Sequence, residues 1–303
     1  MLYRKLGVTG LKVSAVGVGT WQFGGEWGRS YEQREADAIL GRARELGINL
    51  IDTAECYGDH LSESLIGPAI RANRADWVLA TKFGHHFHGP FDRTDEYDPQ
   101  DVVKQLDASL KALQTDYVDL YQFHSGPDAS FDRDGLWDTL NRQVEAGKIR
   151  HLGISIGSNR NLYQTAKAAE VGAGAIQVVY NRLDRAPEEE VFPSCEAQGL
   201  GVLARVPLAS GFLSGKYKPG AAFASSDVRS RRDREDSDRL LREAEEIRRT
   251  EVPEGVDMAS WALAWCLAHP AVTAVIPGCK DVAQVEANAA VVSLVQPGHP
   301  QDI

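Results

Sequence analysis

Short apolar runs alternate with amphipathic stretches along this chain. The runs Ala15–Gly19, Ile48–Ala54, Trp77–Gly84, Tyr117–His124, Ile149–Ile156, Ala175–Tyr180, Gly201–Leu208 and Thr273–Gly278 are almost continuously apolar. Parallel strands covered on both faces have this pattern. Each run leads to a helical pattern, in order Tyr31–Leu46, Glu63–Arg71, Pro99–Gln114, Gly135–Ala146, Asn159–Val171, Glu188–Gln198, Met258–Ala268 and Val282–Ala290. Gly47, Gly147, Gly172 and Gly199 stand where helices must stop. Eight such units predict an α/β chain folded as one (β/α)8 TIM barrel domain over residues 1–303. The rival is an open doubly wound sheet. It lacks support because Gly17-Val18-Gly19-Thr20-Trp21 has neither the third glycine nor the helix start of a dinucleotide fingerprint. Leu2–Leu6 and Leu11–Ser14, joined through Gly7–Gly10, predict an N-terminal β-hairpin closing the bottom of the barrel. The long insert Gly215–Glu251 reads as a mobile loop followed by a charged surface helix from Ser230. The tail after Ala290 carries no helical pattern.

Composition adds exclusions. With 43% apolar and 25% charged residues the chain is an ordinary globular protein. A net charge of −10 argues against nucleic acid as a partner. No apolar run approaches the roughly 20 residues that span a bilayer, and the first residues do not read as a signal peptide. Cys56, Cys195, Cys266 and Cys279 are widely spaced, which suggests reduced thiols and a cytoplasmic location. The chain is expected to work as a monomer or homo-oligomer.

The candidate chemistry lies at successive strand ends. Asp52, Lys82 and His124 end the second, third and fourth runs, and Tyr57 follows Asp52 by five residues. In a parallel barrel those ends share the rim where active sites sit. A free phenol has a pKa of about 10, and an ammonium beside it is expected to lower that value. Lys82 would supply the charge, Asp52 would hold Lys82, and His124 would position a carbonyl. The set contains no Ser–His or Cys–His dyad, so proton transfer coupled to hydride transfer is the expected reaction.

At these residues the chain resembles the aldo-keto reductase superfamily. Tyr3-Arg4-Lys5-Leu6-Gly7 and Leu11-Lys12-Val13-Ser14 look like its opening hairpin. Gly47-Ile48-Asn49-Leu50-Ile51-Asp52-Thr53-Ala54, then Tyr57-Gly58 and Ser62-Glu63, match its strongest motif. Ala80-Thr81-Lys82, Asp116–His124, Gly147-Lys148-Ile149-Arg150 and Gly153-Ile154-Ser155 continue the match. The resemblance implies that Asp52, Tyr57, Lys82 and His124 are a catalytic tetrad, and that NADPH, sometimes NADH, lies extended across the rim. It implies a cofactor site that includes Thr20, Trp21 and Asp52, with Ser155 and Gln177 on the carboxamide. Pro207, Leu208, Ala209, Ser210, Gly211 and Lys216 would follow the pyrophosphate. Gly278, Lys280, Gln284 and Asn288 would hold the adenosine end. Three positions depart from the pattern. Ile156 replaces the usual Asn, so Ser158 or Asn159 would supply that contact, if anything does. Arg205 stands where many members stack an aromatic ring on the nicotinamide, as in one bacterial branch. Gln284 stands where NADPH-specific members carry Arg, leaving Lys280 to meet a 2′-phosphate. The implied activity is NADPH-dependent reduction of a small-molecule aldehyde or ketone. The alternative is a cofactor-binding regulatory subunit resembling potassium-channel β subunits.

Secondary signals remain. His85, His86 and His88 form an HHxH cluster that fits a surface loop, a lining of the substrate pocket, or a metal site. The expectation is no metal, because no carboxylate or cysteine sits at ligand spacing within that segment. Trp21, Trp27 and Phe83 are expected to line an apolar pocket, and Cys56 to be a buried thiol. Specificity is expected to come from the loops Gly24–Ser30, His85–Tyr97, Gly126–Asp134 and Phe212–Arg234, with a pocket left open by the short C-terminus.

Overall fold

The computed structural model describes residues 1–303. In chain order the elements begin with the hairpin β1 (Tyr3–Lys5) and β2 (Lys12–Ser14), then β3 (Val18–Gly19), α1 (Gln33–Glu45), β4 (Leu50–Asp52), α2 (Leu61–Ile70) and β5 (Val78–Phe83). A second hairpin follows, β6 (His85–Gly89) and β7 (Asp92–Asp95), then α3 (Pro99–Ala112), β8 (Val118–His124), a short α4 (Asp128–Phe131), α5 (Leu136–Glu145) and β9 (Ile149–Ser155). The last third holds α6 (Leu162–Ala166), β10 (Ala173–Val179), α7 (Val191–Gln198), β11 (Gly201–Arg205), α8 (Arg234–Thr250), α9 (Met258–Leu267), β12 (Ala274–Val275) and α10 (Val282–Ala290).

Eight strands form one parallel sheet in the order β3, β4, β5, β8, β9, β10, β11, β12. Parallel bridges Val16–Val275 and Gly19–Gly278 join the two edge strands, so the sheet returns on itself as a barrel. The Gly17 amide donates to Val275 O at 2.8 Å across that seam. The expected (β/α)8 pattern is thus present at every unit. Its helices are shorter than their apolar patterns at several ends, and most markedly at α6, which ends at Ala166.

Residue alternation sorts the core into two layers. Leu50, Val78, Ala80, Leu120, Ala175, Leu203 and Ala274 point inward and pack with Leu6 and Val13 of the first hairpin. Leu79, Phe83, Tyr121, Phe123, Ile154, Ile176 and Val202 point outward under the helices, in a buried cluster of 53 residues. Burying side chains of this size stabilises the fold by about 1.5–3 kcal/mol each. Phe83 corrects the sequence reading here. It is fully buried against Tyr121, Phe123 and Tyr97 and does not line the cavity at the barrel mouth. The cause is the two-residue period: Lys82 points into the barrel, so Phe83 points away from it.

The chain after Lys82 also differs from expectation. His85–Tyr97 is no plain loop but begins as an antiparallel hairpin, with His86 opposite Thr94 and Phe87 opposite Arg93. Gly84 makes the turn at φ +126°, where a Cβ would stand 2.0 Å from the Tyr97 ring. Strand alternation splits the HHxH cluster: His85 faces the barrel mouth, while His86 and His88 meet edge-on on the other face, with ring centroids 4.8 Å apart.

The insert after β11 is tied down. Trp27 and Asp227 form an antiparallel bridge, and the Gly28 and Val228 amides donate to Ser226 O and Glu26 O. Arg229 is buried, paired with Asp227, and lies over the rings of Phe223, Tyr217 and Trp27. The charged helix α8 packs one apolar stripe, Ala244 and Ile247, on Leu213, Met258 and Ala262. The tail runs to the hairpin end, where Asp302 bridges Arg4 and the Ile303 amide donates to Tyr3 O at 3.1 Å. No helix is long and apolar enough to cross a membrane.

Candidate active site

Asp52 ends β4 and Lys82 sits one residue before the end of β5, so both side chains enter the barrel mouth from adjacent strands. Lys82 is fully buried. Its ammonium donates to Asp52 Oδ2 at 2.8 Å and to the Thr53 carbonyl at 2.6 Å. Burial alone would lower the Lys82 pKa, but Asp52 and then Tyr57 outweigh it and hold the side chain charged, above its ordinary value. Asp52 Oδ1 accepts from Gln177 at 2.7 Å and from Gln122 at 3.2 Å. A buried ion pair needs such extra donors to offset its desolvation.

Tyr57 follows β4 on a loop held by Gly24, where a Cβ would fall 2.6 Å from the Tyr57 carbonyl carbon. That close approach brings the first loop onto the second and stacks Trp21 near Tyr57, 6.0 Å between centroids. The Tyr57 hydroxyl lies 3.4 Å from Lys82 Nζ. Its pKa corrects the expectation of a lowered phenol. Burial is the larger effect and Lys82 only partly offsets it, so the phenol is pushed up to about 12. His124 ends β8 and sits edge-on to Tyr57, 6.2 Å between ring centroids. Burial pulls its imidazole down to about 3, against the raising effect of Glu55, so it is neutral over the ordinary pH range.

These groups open into a cavity of about 410 Å³ that runs across the barrel mouth. Asp52, Tyr57, His85, Arg93 and His124 line one end, with Trp21 and Trp27 beside them. Thr20, Gln177, Arg205, Pro207, Leu208, Ser210, Gly211 and Lys216 line the middle, and Gly278, Lys280 and Gln284 the far end. Ser155 and Asn288 lie behind this wall. Ser155 is fully buried against Gln177, and Asn288 donates to Cys279 Sγ at 3.4 Å. Asn159 is engaged by Asp184. Lys82 also stands behind the lining, touching the cavity through Tyr57.

The lining fits an extended anionic dinucleotide. Lys216, Lys280 and Arg229 bring three cations to the cavity wall. Arg205 is held by the Ile156 carbonyl at 3.1 Å, while its Nε is buried with no partner. A buried, unmatched guanidinium N–H is costly. Ser210 and Gly211 adopt positive φ, +59° and +92°, which turns the chain sharply along the cavity wall.

Sequence reasoning missed several residues here. Gln122 lies two positions before His124 on β8, so the strand period places it inward, and that signal was available. Glu26, Glu55 and Arg93 were not readable. Glu26 accepts from Trp21, Arg93 and the Phe91 amide, a contact set that joins the first loop to the β6–β7 hairpin.

The aldo/keto reductase family model matches residues 15–297. A probable voltage-gated potassium channel subunit beta of Arabidopsis thaliana is 33% identical, over 97% of this chain and 92% of its own length. An uncharacterized oxidoreductase of Bacillus subtilis is 35% identical, over 94% and 89%. The solved holo form of an aldo-keto reductase from Bacillus halodurans superposes with a TM-score of 0.80 at 33% identity, covering 96% of this chain and 91% of that one. The chain belongs to the aldo/keto reductase family, and it is a nicotinamide-dependent oxidoreductase that reduces carbonyl groups.

Proposed function

We propose that this chain, as one barrel domain over residues 1–303, reduces aldehydes and ketones with NADPH, and that Tyr57 is the proton donor. When bound, the reduced nicotinamide supplies the hydride. Asp52 anchors Lys82, and Lys82 stabilises the phenolate left when Tyr57 gives its proton to the alkoxide. Neutral His124 donates a hydrogen bond to the substrate carbonyl. For this it must carry its proton on Nε2, and the Cys56 thiol 3.7 Å from Nδ1 is placed to donate to the other nitrogen. The carrying observation is the Asp52–Lys82–Tyr57 chain, at 2.8 and 3.4 Å, opening on a cavity wall rich in cations.

Gln177, backed by Ser155, fixes the carboxamide, Arg205 stacks on the nicotinamide, and Pro207, Leu208, Ser210, Gly211 and Lys216 follow the pyrophosphate. Lys280, Gln284 and Gly278 take the adenosine end, with Asn288 steadying Cys279 behind them. Lys280 gives a preference for NADPH over NADH. The first hairpin closes the barrel end opposite the cavity, supported by the packing of Leu6 and Val13 on inward barrel residues. Four buried free thiols suit a reducing cytoplasm.

A second reading, a cofactor-binding regulatory subunit, rests on the likeness to the plant protein named as a channel subunit. One assay separates the two. Protein, NADPH and 4-nitrobenzaldehyde are mixed and the reduced-nicotinamide absorbance is followed, with and without chelator. Steady chelator-resistant turnover supports the reductase. Tight NADPH binding with no turnover over a panel of carbonyls supports the regulatory subunit.

A further inference from the structure

Behind the reacting face of His124, four residues from three segments converge. Glu55 and Cys56 come from the loop after β4, His85 from the start of β6, and His124 from the end of β8. One ligand atom from each lies within 4.8 Å of all the others. Cys56 Sγ is 3.7 Å from His124 Nδ1, Glu55 Oε2 is 3.9 Å from the same nitrogen, and Glu55 Oε1 is 3.6 Å from His85 Nδ1. Ligands around a tetrahedral zinc, with bonds of about 2.0–2.3 Å, stand roughly 3.3–3.8 Å from one another. The three separations are near that range, the whole set spreads to 4.8 Å so that coordination draws the groups inward, and the two Glu55–imidazole distances are too long for hydrogen bonds.

Two of the candidate ligand atoms have no hydrogen-bond partner in the fold. Glu55 is 3% exposed, yet its Oε2 has no hydrogen-bond partner, and neither does His85 Nδ1. A buried carboxylate oxygen without a donor is costly, and such an atom needs an explanation. The surroundings complete a metal environment. Glu55 Oε1 accepts from the His85 amide at 3.1 Å, which fixes the carboxylate. Arg93 donates to Cys56 Sγ at 3.4 Å and pairs with Glu26, which steadies a thiolate. The charges balance: one carboxylate, one thiolate and two neutral imidazoles equal a divalent ion, and Arg93 is matched by Glu26. His85 and His124 line the cavity, which gives the ion a way in.

We propose that Glu55, Cys56, His85 and His124 form a tetrahedral site for a zinc-type divalent cation. The nitrogen, sulfur and oxygen donors of this set select zinc or cobalt over magnesium or calcium. The cation replaces the thiol proton beside Nδ1 of His124 and leaves Nε2 to the cavity. It adds no step to the reduction, so the site stands or falls separately from the reductase reading.

The test is titration of chelator-treated protein with Co²⁺, followed by optical spectroscopy. The expected result is one equivalent bound, with the visible bands of a tetrahedral ion and a near-ultraviolet thiolate charge-transfer band, both displaced by Zn²⁺. Cys56→Ser should lose the charge-transfer band, and Glu55→Gln should raise the Kd at least about tenfold. A His86→Ala/His88→Ala double variant, on the opposite face of the hairpin, should bind as the parent does. Circular dichroism of each variant shows whether it is folded. No tetrahedral cobalt spectrum at millimolar metal overturns the site. So does a spectrum unchanged in folded Cys56→Ser, or one lost in the His86/His88 variant.

Discussion

Lys82 Nζ lies 3.4 Å from the Tyr57 hydroxyl, and still the phenol is pushed up to about 12 rather than down. The ammonium is largely committed to Asp52 and the Thr53 carbonyl, Lys82 is fully buried, and Tyr57 is partly buried with one side on the cavity. Tyr57 is therefore set to hold its proton until a stronger base forms beside it. An alkoxide created by hydride arrival is such a base. In the proposed mechanism Lys82 then acts after the proton has left, by pairing with the phenolate.

The pH profile of reduction follows from these values. A donor that must be protonated works below its pKa and fails above it. With Tyr57 near 12, kcat for reduction is expected to stay level to at least about pH 9. His124, pulled down to about 3, should add no inflection near 6.5. An acid limb near 6.5 that disappears in His124→Gln would contradict this account.

Removing the lysine tests its role apart from that of tyrosine. Lys82→Met leaves Asp52 buried beside Gln122 and Gln177 without its cation. Turnover should fall by about 10²–10⁴-fold. Cofactor affinity, read by quenching of tryptophan fluorescence, should change by less than about tenfold, since Lys82 stands behind the cavity lining.

Lys280 lies at the far end of the cavity, with its amide bound to Gln284 Oε1 at 2.9 Å. Lys280→Ala should weaken NADPH binding by about tenfold and leave NADH within about twofold, because only the first carries the 2′-phosphate. Gln284→Arg should move the preference the other way. Equal losses for both cofactors would remove Lys280 from the phosphate site.

Acid stability should also report the site. The folded chain keeps His124 neutral, while the unfolded chain takes up a proton below about pH 6.5. Stability is therefore lost as pH falls from about 6.5 towards 3, by up to about 1.4 kcal/mol per pH unit from this residue. Glu55 works in the same direction further down. Burial raises its pKa, but His124 and His85 outweigh that and hold it below the usual carboxylate range, so its contribution is lost below about pH 4.5. Urea unfolding of parent and His124→Gln between pH 7 and 5 should show a shallower pH slope in the variant.

The pattern of the barrel was legible because its strands are covered on both faces and its helices on one, so period and glycine stops marked nearly every unit. The convergence of Asp52, Tyr57, Lys82 and His124 was legible because strand ends place residues on one rim. The β6–β7 hairpin was not, since Asp92-Arg93-Thr94-Asp95 has no apolar face and is held by pairing with the His85–Gly89 segment. The tethering of the insert through Arg229 and Asp227 was hidden for a similar reason. A buried ion pair stacked on rings reads in sequence as surface charge. In the Glu55–Cys56–His85–His124 cluster, His85 stands 30 positions beyond Glu55 and His124 stands 68 beyond Cys56, so local spacing carries no trace of it. The pKa of Tyr57 was misjudged because the sequence shows the nearby cation but not the depth of burial.

In the proposed reaction Tyr57 delivers the proton that completes carbonyl reduction. The direct measurement is single-turnover oxidation of bound NADPH by 4-nitrobenzaldehyde in the parent and in Tyr57→Phe, with NADPH Kd measured alongside. The account predicts a rate at least about 100-fold lower in the variant with Kd nearly unchanged. A Tyr57→Phe rate within about threefold of the parent, at matched cofactor occupancy, would contradict it.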